Sequence, residues 1–206
     1  GCTPALNPVN QRVPRAVASL LKAAGVKFGV LGIGNAGGGV LVTMQAAPNI
    51  EVVAAADLRP HARAAFEEAY GGKAYETAEE LCADPDVDAI WVATPNPFHA
   101  PHTIMAAESG KHVINEKPMA LSLEQAQTMV DAVERNGVRY VQGHSKIFDP
   151  PIRKMREVVS GGELGRLVQL NTWEYKPWIS GQPRLGSEVD VATGGGVLYR
   201  QGPHQT

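Results

Sequence analysis

The chain has 206 residues, of which 44% are hydrophobic and 19% charged, and its formal net charge is −2. This is the composition of a folded globular protein, not a disordered one, and the near-neutral charge argues against nucleic acid as a partner. No apolar run reaches the roughly 18 residues that span a bilayer, and no basic cluster suits an anionic membrane, so we expect no membrane partner.

The two cysteines, Cys2 and Cys82, are too few and too far apart for a disulfide framework or a zinc site. We therefore expect no bound metal and a reducing, cytoplasmic setting, with a bridge between these two thiols left open as an alternative. Residues 1–24 lack the charged start, apolar stretch and cleavage site of a signal peptide. We interpret them as an N-terminal arm.

Strand and helix patterns alternate over residues 25–148. The predicted strands are Val26–Ile33, Glu51–Ala56, Ala89–Ala93, His112–Asn115 and Val138–Val141. The predicted helices are a stretch ending at Ala47, Pro60–Tyr70, a short helix opened by a Thr77–Glu80 capping box, Pro97–Ser109, and one running from a Ser122–Gln125 capping box to Gly137. This alternation indicates parallel βαβ units, and so an α/β fold with a Rossmann-type, doubly wound parallel sheet covered on both faces.

The pattern changes at Asp149, which two prolines follow. We predict a helix over Ile152–Ser160 and a long strand over Arg166–Tyr175. Residues 149–206 hold too few predicted strands for a separate compact domain. We interpret them as the beginning of a C-terminal α+β open-sheet domain, which this chain holds only in truncated form.

A glycine-rich turn follows the first predicted strand and matches the pattern G-x-G-x-x-G. Its residues are Gly32, Ile33, Gly34, Asn35, Ala36 and Gly37. In such a turn the first glycine permits the tight bend, the second lets the backbone approach a pyrophosphate, and the third lets helix and strand pack closely. A glycine-rich turn in a non-binding domain is the plain alternative, but the strand–turn–helix context favours dinucleotide binding.

Asp57 stands at the end of the second predicted strand, 25 residues after Gly32. A carboxylate at this position meets ribose hydroxyls and repels a 2′-phosphate, which favours NAD. Arg59 is near enough to offset that repulsion, so NADP stays open as the cofactor.

The segment Thr94-Pro95-Asn96-Pro97-Phe98-His99 follows the Ala89–Ala93 strand. It therefore lies at the carboxyl edge of the sheet, where open α/β sheets bind ligands. Taken alone, the segment is equally well an ordinary helix start, with Asn96 as the cap and Pro97 at the first helical position.

Glu116, Lys117 and Pro118 follow the His112–Asn115 strand and reach the same edge. A partly buried lysine can take a proton from a hydroxyl or return it, and hydride transfer from an alcohol needs that proton to leave. A solvated ion pair before a turn is the alternative, since most lysines lie at the surface.

In order and spacing, these segments together resemble the Gfo/Idh/MocA oxidoreductases. The carriers are GIGNAG at 32–37, VATPNPFH at 92–99, GKHVINEKP at 110–118, GELG at 162–165 with the strand after it, and GGGVLYRQGPH at 194–204. The resemblance implies NAD or NADP in the N-terminal domain, a small-molecule substrate and, where the C-terminal domain is complete, homo-oligomers formed through its sheet.

The resemblance also implies roles for single residues. Lys117 and His204 correspond to the catalytic pair, and Lys117 also lies in the cofactor shell. The other implied cofactor-binding residues are Gly32, Ile33, Gly34, Asn35, Ala36, Asp57, Arg59, Thr94, Asn96, His99 and Glu116. One departure is Arg200, which stands where the family often has an aspartate; an arginine suits a substrate that carries a carboxylate. Trp173 either lines the substrate pocket or packs in the C-terminal sheet.

The implied function is hydride transfer between the nicotinamide and a hydroxyl-bearing carbon of a sugar, polyol or cis-dihydrodiol. Residues 143–151 and 200–206 favour the branch that contains phthalate dihydrodiol dehydrogenases. Lys117 then acts as general acid/base, and His204 orients the hydroxyl or shares its proton. Two alternatives stay open, a dinucleotide-binding sensor without turnover and an inactive fragment of such an enzyme.

Overall fold

The computed structural model describes residues 25–143, 148–171, 173 and 186–195. The chain separates into two compact units, one ending at Gly143 and the other following it. The predicted N-terminal arm and the candidate residues Arg200 and His204 lie outside the described residues.

The first unit contains a parallel sheet with the strand order β3-β2-β1-β4-β5-β6. The strands are β1 (Val26–Leu31), β2 (Ile50–Ala56), β3 (Lys73–Tyr75), β4 (Ala89–Val92), β5 (His112–Asn115) and β6 (Tyr140–Gln142). Every neighbouring pair runs parallel. The prediction of a doubly wound α/β sheet is therefore confirmed, and the strand order reverses between β1 and β4, where such sheets open a crevice.

Helices connect these strands, and local sequence fixes several of their ends. They are α1 (Asn35–Gln45), α2 (Pro60–Tyr70), α3 (Ala78–Ala83), α4 (His99–Glu108) and α5 (Leu123–Arg135), with a 3₁₀ turn at Asn96–Phe98. α2 begins at a proline and ends before Gly71, whose φ of 68° suits a glycine. α3 begins with the predicted capping box, in which Thr77 and Glu80 bond each other's backbone N–H.

The core lies on both faces of the sheet, because successive strand residues point to opposite sides. On one face Phe28, Val30 and Trp91 pack with residues of α1 such as Leu41 and Met44. On the other face Leu31, Ile90 and Val92 form a second cluster with Leu81 of α3 and Ala106 of α4. Burial on both sides explains why the central strands read as continuous apolar runs.

Strand β3 and the buried face of α5 differ from the prediction. Strand β3 was missed, because Lys-Ala-Tyr offers neither an apolar run nor a clear alternation over its three residues. The helical period of α5 predicts an apolar face, with Leu123, Ala126, Met129, Val130 and Val133 on it. In the structure Met129 is buried together with Ala132, whereas Leu123 and Val130 are 86% and 37% exposed. Leu123 is the first residue of α5, and the start of this helix is exposed to solvent.

The second unit contains α6 (Pro150–Ser160), a short helix α7 (Gly186–Val189) and a 3₁₀ turn at Val191–Thr193. The strand predicted over Arg166–Tyr175 does not form at positions 166–171 and 173, the part of it that the structure describes. A strand needs a neighbour to hydrogen-bond with, and the described part of this unit supplies none. Over the described ranges, no helix has both the length and the apolar content needed to cross a bilayer.

Candidate functional site

The glycine-rich turn connects β1 to α1 at the point where the strand order reverses. Gly32 has a φ of 93°, and a Cβ there would lie 2.9 Å from the carbonyl oxygen of Ala93. At Gly37 a Cβ would lie only 1.9 Å from the carbonyl oxygen of Gly32. These two glycines therefore let the turn bend and let α1 pack directly on it.

Gly34 is a different case, because the fold itself does not require a glycine there. Its φ is −80°, which any residue adopts, and a Cβ would meet nothing within 4 Å. Asn35 and Ala36, the next two residues, are exposed at the start of α1. The first N–H groups of a helix have no partner within the helix, and its dipole favours an anion there. The open surface over Gly34 thus fits a phosphate group against the helix start.

Asp57 follows β2 and is held by hydrogen bonds on both carboxylate oxygens. Oδ2 accepts from the backbone N–H of Ile33 and from Nη2 of Arg59, each at 2.8 Å. Oδ1 accepts from the backbone N–H of Arg59 at 2.9 Å and from its Nε at 2.8 Å. The Arg59 guanidinium is the largest cause that lowers the pKa of Asp57 from 3.8 to about 2, and the backbone N–H groups add to it against the effect of burial.

This arrangement leaves the Asp57 side chain 9% exposed and the Arg59 side chain 50% exposed. A carboxylate has about four lone-pair sites, and the four bonds above use them. The same Arg59 Nη2 also donates to the carbonyl oxygen of Ile33 at 3.1 Å. The arginine therefore closes over the carboxylate at the edge of the glycine-rich turn.

The segment after β4 leads to His99, whose side chain lies in the protein interior. Its ring is buried, with Nε2 2.8 Å from the carbonyl oxygen of Thr94 and Nδ1 2.6 Å from the carbonyl oxygen of Pro118. Thr94 also pairs its hydroxyl with Nδ1 of His102 at 3.1 Å. Asn96 is half-buried in the 3₁₀ turn.

Glu116 and Lys117 follow β5, and both are half-buried. The Lys117–Pro118 peptide bond is cis. Burial raises the pKa of the Glu116 carboxyl, while the neighbouring Lys117 opposes that rise. A carboxyl and an amine thus stand side by side in partial burial, a combination suited to moving protons.

Polar residues at the ends of β5 and β6 support this segment, and they were not singled out from the sequence. Gln142 donates through Nε2 to the carbonyl oxygens of Asn115 and Glu116, each at 3.2 Å. Asn115 is fully buried and donates through Nδ2 to the carbonyl oxygen of Met119 at 3.0 Å. The available signal was their position, since each is the last residue of a strand that ends at the ligand-binding edge.

The structure brings most of the predicted site residues to one edge of the sheet. The glycine-rich turn, Asp57, the Thr94 segment and the Glu116–Lys117 pair follow β1, β2, β4 and β5, and parallel strands all end at the same side. Trp173 belongs to the second unit, where it is 79% exposed. No group of three or more His, Cys, Asp or Glu side chains suited to a metal occurs among the residues that the structure describes.

Comparison with known proteins decides the family. Residues 26–144 match the family model GFO_IDH_MocA, described as an oxidoreductase family with an NAD-binding Rossmann fold. The chain belongs to this family. Its resemblance to the Gfo/Idh/MocA oxidoreductases is therefore confirmed.

Relatives of known name extend the match into the second unit. Over 181 residues the chain is 35% identical to a 1-carboxy-3-chloro-3,4-dihydroxycyclohexa-1,5-diene dehydrogenase of Comamonas testosteroni, covering 87% of this chain and 45% of that protein. It is 32% identical to inositol 2-dehydrogenase 3 of Saccharopolyspora erythraea, covering 75% of this chain and 46% of that protein. The chain thus spans about half the length of the curated relatives it matches.

A solved structure from Bordetella bronchiseptica RB50 superposes with a TM-score of 0.82 at 38% sequence identity. The match covers 87% of this chain and 47% of that one. The matched part of the chain is therefore longer than the Rossmann unit.

Proposed function

We propose that this chain is the dinucleotide-binding part of an NAD(P)-dependent dehydrogenase that acts on a hydroxyl-bearing carbon. The observation that carries the proposal is the open surface over Gly34, at the reversal point of the sheet and on the same edge as Lys117. A phosphate-binding turn and a lysine suited to proton transfer at one edge are what hydride transfer from an alcohol requires.

The residues of this edge fit a dinucleotide. The pyrophosphate would lie against Gly34 and the start of α1, and the adenosine ribose would approach Asp57 at the end of β2. We propose NAD as the preferred cofactor, since the ionised Asp57 carboxylate repels a 2′-phosphate. Because Arg59 occupies that carboxylate, a ribose diol must displace the guanidinium before it can bond Asp57.

Lys117 would perform the proton transfer. When bound, the nicotinamide supplies the chemistry of accepting or giving a hydride. As the alcohol carbon gives up its hydride, the Lys117 amine would take the hydroxyl proton, leaving a carbonyl and an ammonium group; in the reverse direction the ammonium would return that proton. Glu116, half-buried next to Lys117, would favour the positive charge that develops on the lysine.

For the substrate we propose a ring carrying vicinal hydroxyls, with a cis-dihydrodiol favoured over a sugar or polyol. The support is the name of the 35% identical relative, a dehydrogenase of a carboxylated dihydroxycyclohexadiene. Arg200 and His204 would then serve the substrate carboxylate and hydroxyl, and assembly through the C-terminal sheet stays a prediction.

Titration of NADH and NADPH against three forms of the protein tests the cofactor site. Asp57→Ser removes the carboxylate and should weaken NADH binding by tenfold or more while relaxing discrimination against NADPH, since a hydrogen bond to a charged group contributes about 1.5–3 kcal/mol. Arg59→Ala should retain or strengthen NADH binding, because it frees Asp57, and should weaken NADPH.

Two results would count against this proposal. Unchanged NADH affinity in Asp57→Ser would remove Asp57 from the ribose site. Tight NADH binding without turnover of any dihydrodiol, polyol or sugar by the full-length protein would favour the sensor alternative.

A further inference from the structure

His99 is the first residue of α4, and only 1% of its surface is exposed. Its ring touches the two segments that follow neighbouring strands. Nδ1 lies 2.6 Å from the carbonyl oxygen of Pro118, after β5, and Nε2 lies 2.8 Å from the carbonyl oxygen of Thr94, after β4. The imidazole is thus a bridge within the candidate site, and both its nitrogens face backbone of this chain.

Both partners are carbonyl oxygens, which only accept hydrogen bonds. A neutral imidazole carries one N–H and can donate to one of them, whereas only the protonated ring can donate to both. Burial lowers the pKa of His99 and the charge on Lys117 lowers it further, although the two carbonyls oppose these effects. Near neutral pH the ring therefore holds one proton, and the shorter contact is the one to Pro118.

We propose that His99 is a positioning residue for Lys117, and that its Nδ1–H holds the Pro118 carbonyl and so fixes the backbone that carries the lysine. The Pro118 carbonyl belongs to the peptide that follows Pro118, and Lys117 directly precedes this proline. When the carbonyl is displaced, Pro118 shifts, and the adjoining Lys117 shifts with it. In this role His99 contacts the backbone of the site, whereas the family resemblance implies that it contacts the cofactor. The inference rests on the proposed role of Lys117 in proton transfer.

The neighbouring contacts explain why the segment would shift without the rest of the unit unfolding. Gln142 holds the carbonyl oxygen of Glu116, and Asn115 holds that of Met119. These two bonds anchor the segment on both sides of Pro118. Loss of the His99 contact therefore frees the middle of an anchored loop, and a misplacement of about 1 Å at a reacting group can reduce catalysis by about 10²-fold.

A matched pair of substitutions in the full-length protein separates the two ring contacts. The amide nitrogen of His99→Asn takes the place of Nδ1, and that of His99→Gln extends towards the place of Nε2. We expect His99→Asn to keep kcat within about threefold, and His99→Gln and His99→Ala to lose about 10²-fold. The KM for NAD should stay unchanged in all three, because the glycine-rich turn and Asp57 are untouched.

His112→Asn is the control for loss of an imidazole. His112 begins β5 at the opposite edge of the sheet, where its Nδ1 accepts from the backbone N–H of Arg139 at 3.1 Å. This variant should keep the parental kcat and KM.

Lys117→Met distinguishes failure of this inference from failure of the proposed function. If Lys117→Met keeps the parental kcat, the proposed function is wrong. If Lys117→Met loses activity while His99→Gln and His99→Asn have equal kcat, the positioning role alone is wrong. Rescue by glutamine instead of asparagine would also overturn it, since the Thr94 contact would then be the effective one.

A measurement on the unsubstituted protein needs neither a variant nor a substrate. The ¹⁵N chemical shifts of the His99 ring report which nitrogen carries a proton. The proposal requires a proton on Nδ1 at neutral pH. A lone pair on Nδ1, with the proton on Nε2, would overturn it whatever the variants do.

Discussion

The third glycine of the phosphate-binding turn offers a test with a control one residue away. Gly37 and Gly38 both lie in the first turns of α1, so Gly→Ala changes helix propensity equally at the two positions. A Cβ at Gly37 would lie 1.9 Å from the carbonyl oxygen of Gly32, whereas at Gly38 it would meet nothing within 4 Å. The pair therefore isolates the close approach of helix and turn.

The expected magnitude follows from that distance. An ordinary Cβ contact is 3.4 Å or more, so α1 and the turn must separate by about 1.5 Å. Both atoms are held by backbone, and neither can rotate away. Overpacking commonly costs 1–3 kcal/mol, and we expect Gly37→Ala to lose about 3 kcal/mol, whereas Gly38→Ala should gain about 0.5–1 kcal/mol from helix propensity.

Urea unfolding of the two variants measures this difference directly. In a thermal unfolding experiment the two midpoints should differ by about 15 °C, since 1 kcal/mol shifts the midpoint by about 4 °C for a unit of this size. NADH affinity should also fall in Gly37→Ala, because the helix start moves with the turn. Equal stabilities for Gly37→Ala and Gly38→Ala would refute the packing role assigned to the third glycine.

Two further predictions concern the same edge of the sheet. Gly34→Ala should leave the free energy of unfolding within about 1 kcal/mol of the parent, the usual cost of an alanine at a helix N-cap, yet weaken NADH binding at least tenfold, and unchanged affinity in a titration would move the pyrophosphate away from Gly34. Because the pKa of Asp57 is lowered to about 2 from 3.8, its ionised form contributes about 2 kcal/mol of stability above pH 5, which is lost as the pH falls towards 2. The stability gap between the parent and Asp57→Asn should therefore shrink over that range, and a gap independent of pH would contradict the ion pair with Arg59.

Helices and strands whose ends are marked by prolines, glycines or turns were predictable from the sequence. The helix Pro60–Tyr70 and the strand His112–Asn115 have the predicted bounds, the first set by a proline and a glycine pair and the second by a short apolar run between turns. Strand β3 was not predictable, because it forms only by pairing its three residues with β2. The last strand begins at Tyr140 instead of Val138, since its ends depend on its partner β5.

In the candidate site, the positions of the residues were predictable from the sequence, whereas their side-chain contacts were not. Motif spacing placed the glycine-rich turn, Asp57 and Lys117 at the ends of neighbouring strands, because parallel topology brings those ends together. The closure of Arg59 over Asp57 and the turn of His99 towards two carbonyls depend on side-chain rotamers and on packing between distant segments. Sequence spacing alone does not determine these contacts.

The most direct test of the proposed function compares kcat of the full-length protein with that of Lys117→Met. NADH formation is followed at 340 nm with a carboxylated cis-dihydrodiol and with inositol as substrates. Methionine keeps the length of the stem and removes the proton carrier, so NADH binding should persist while kcat falls by about 10²–10⁴-fold, the usual contribution of general acid/base catalysis. A kcat near that of the parent would contradict the assignment of Lys117 as the group that moves the proton.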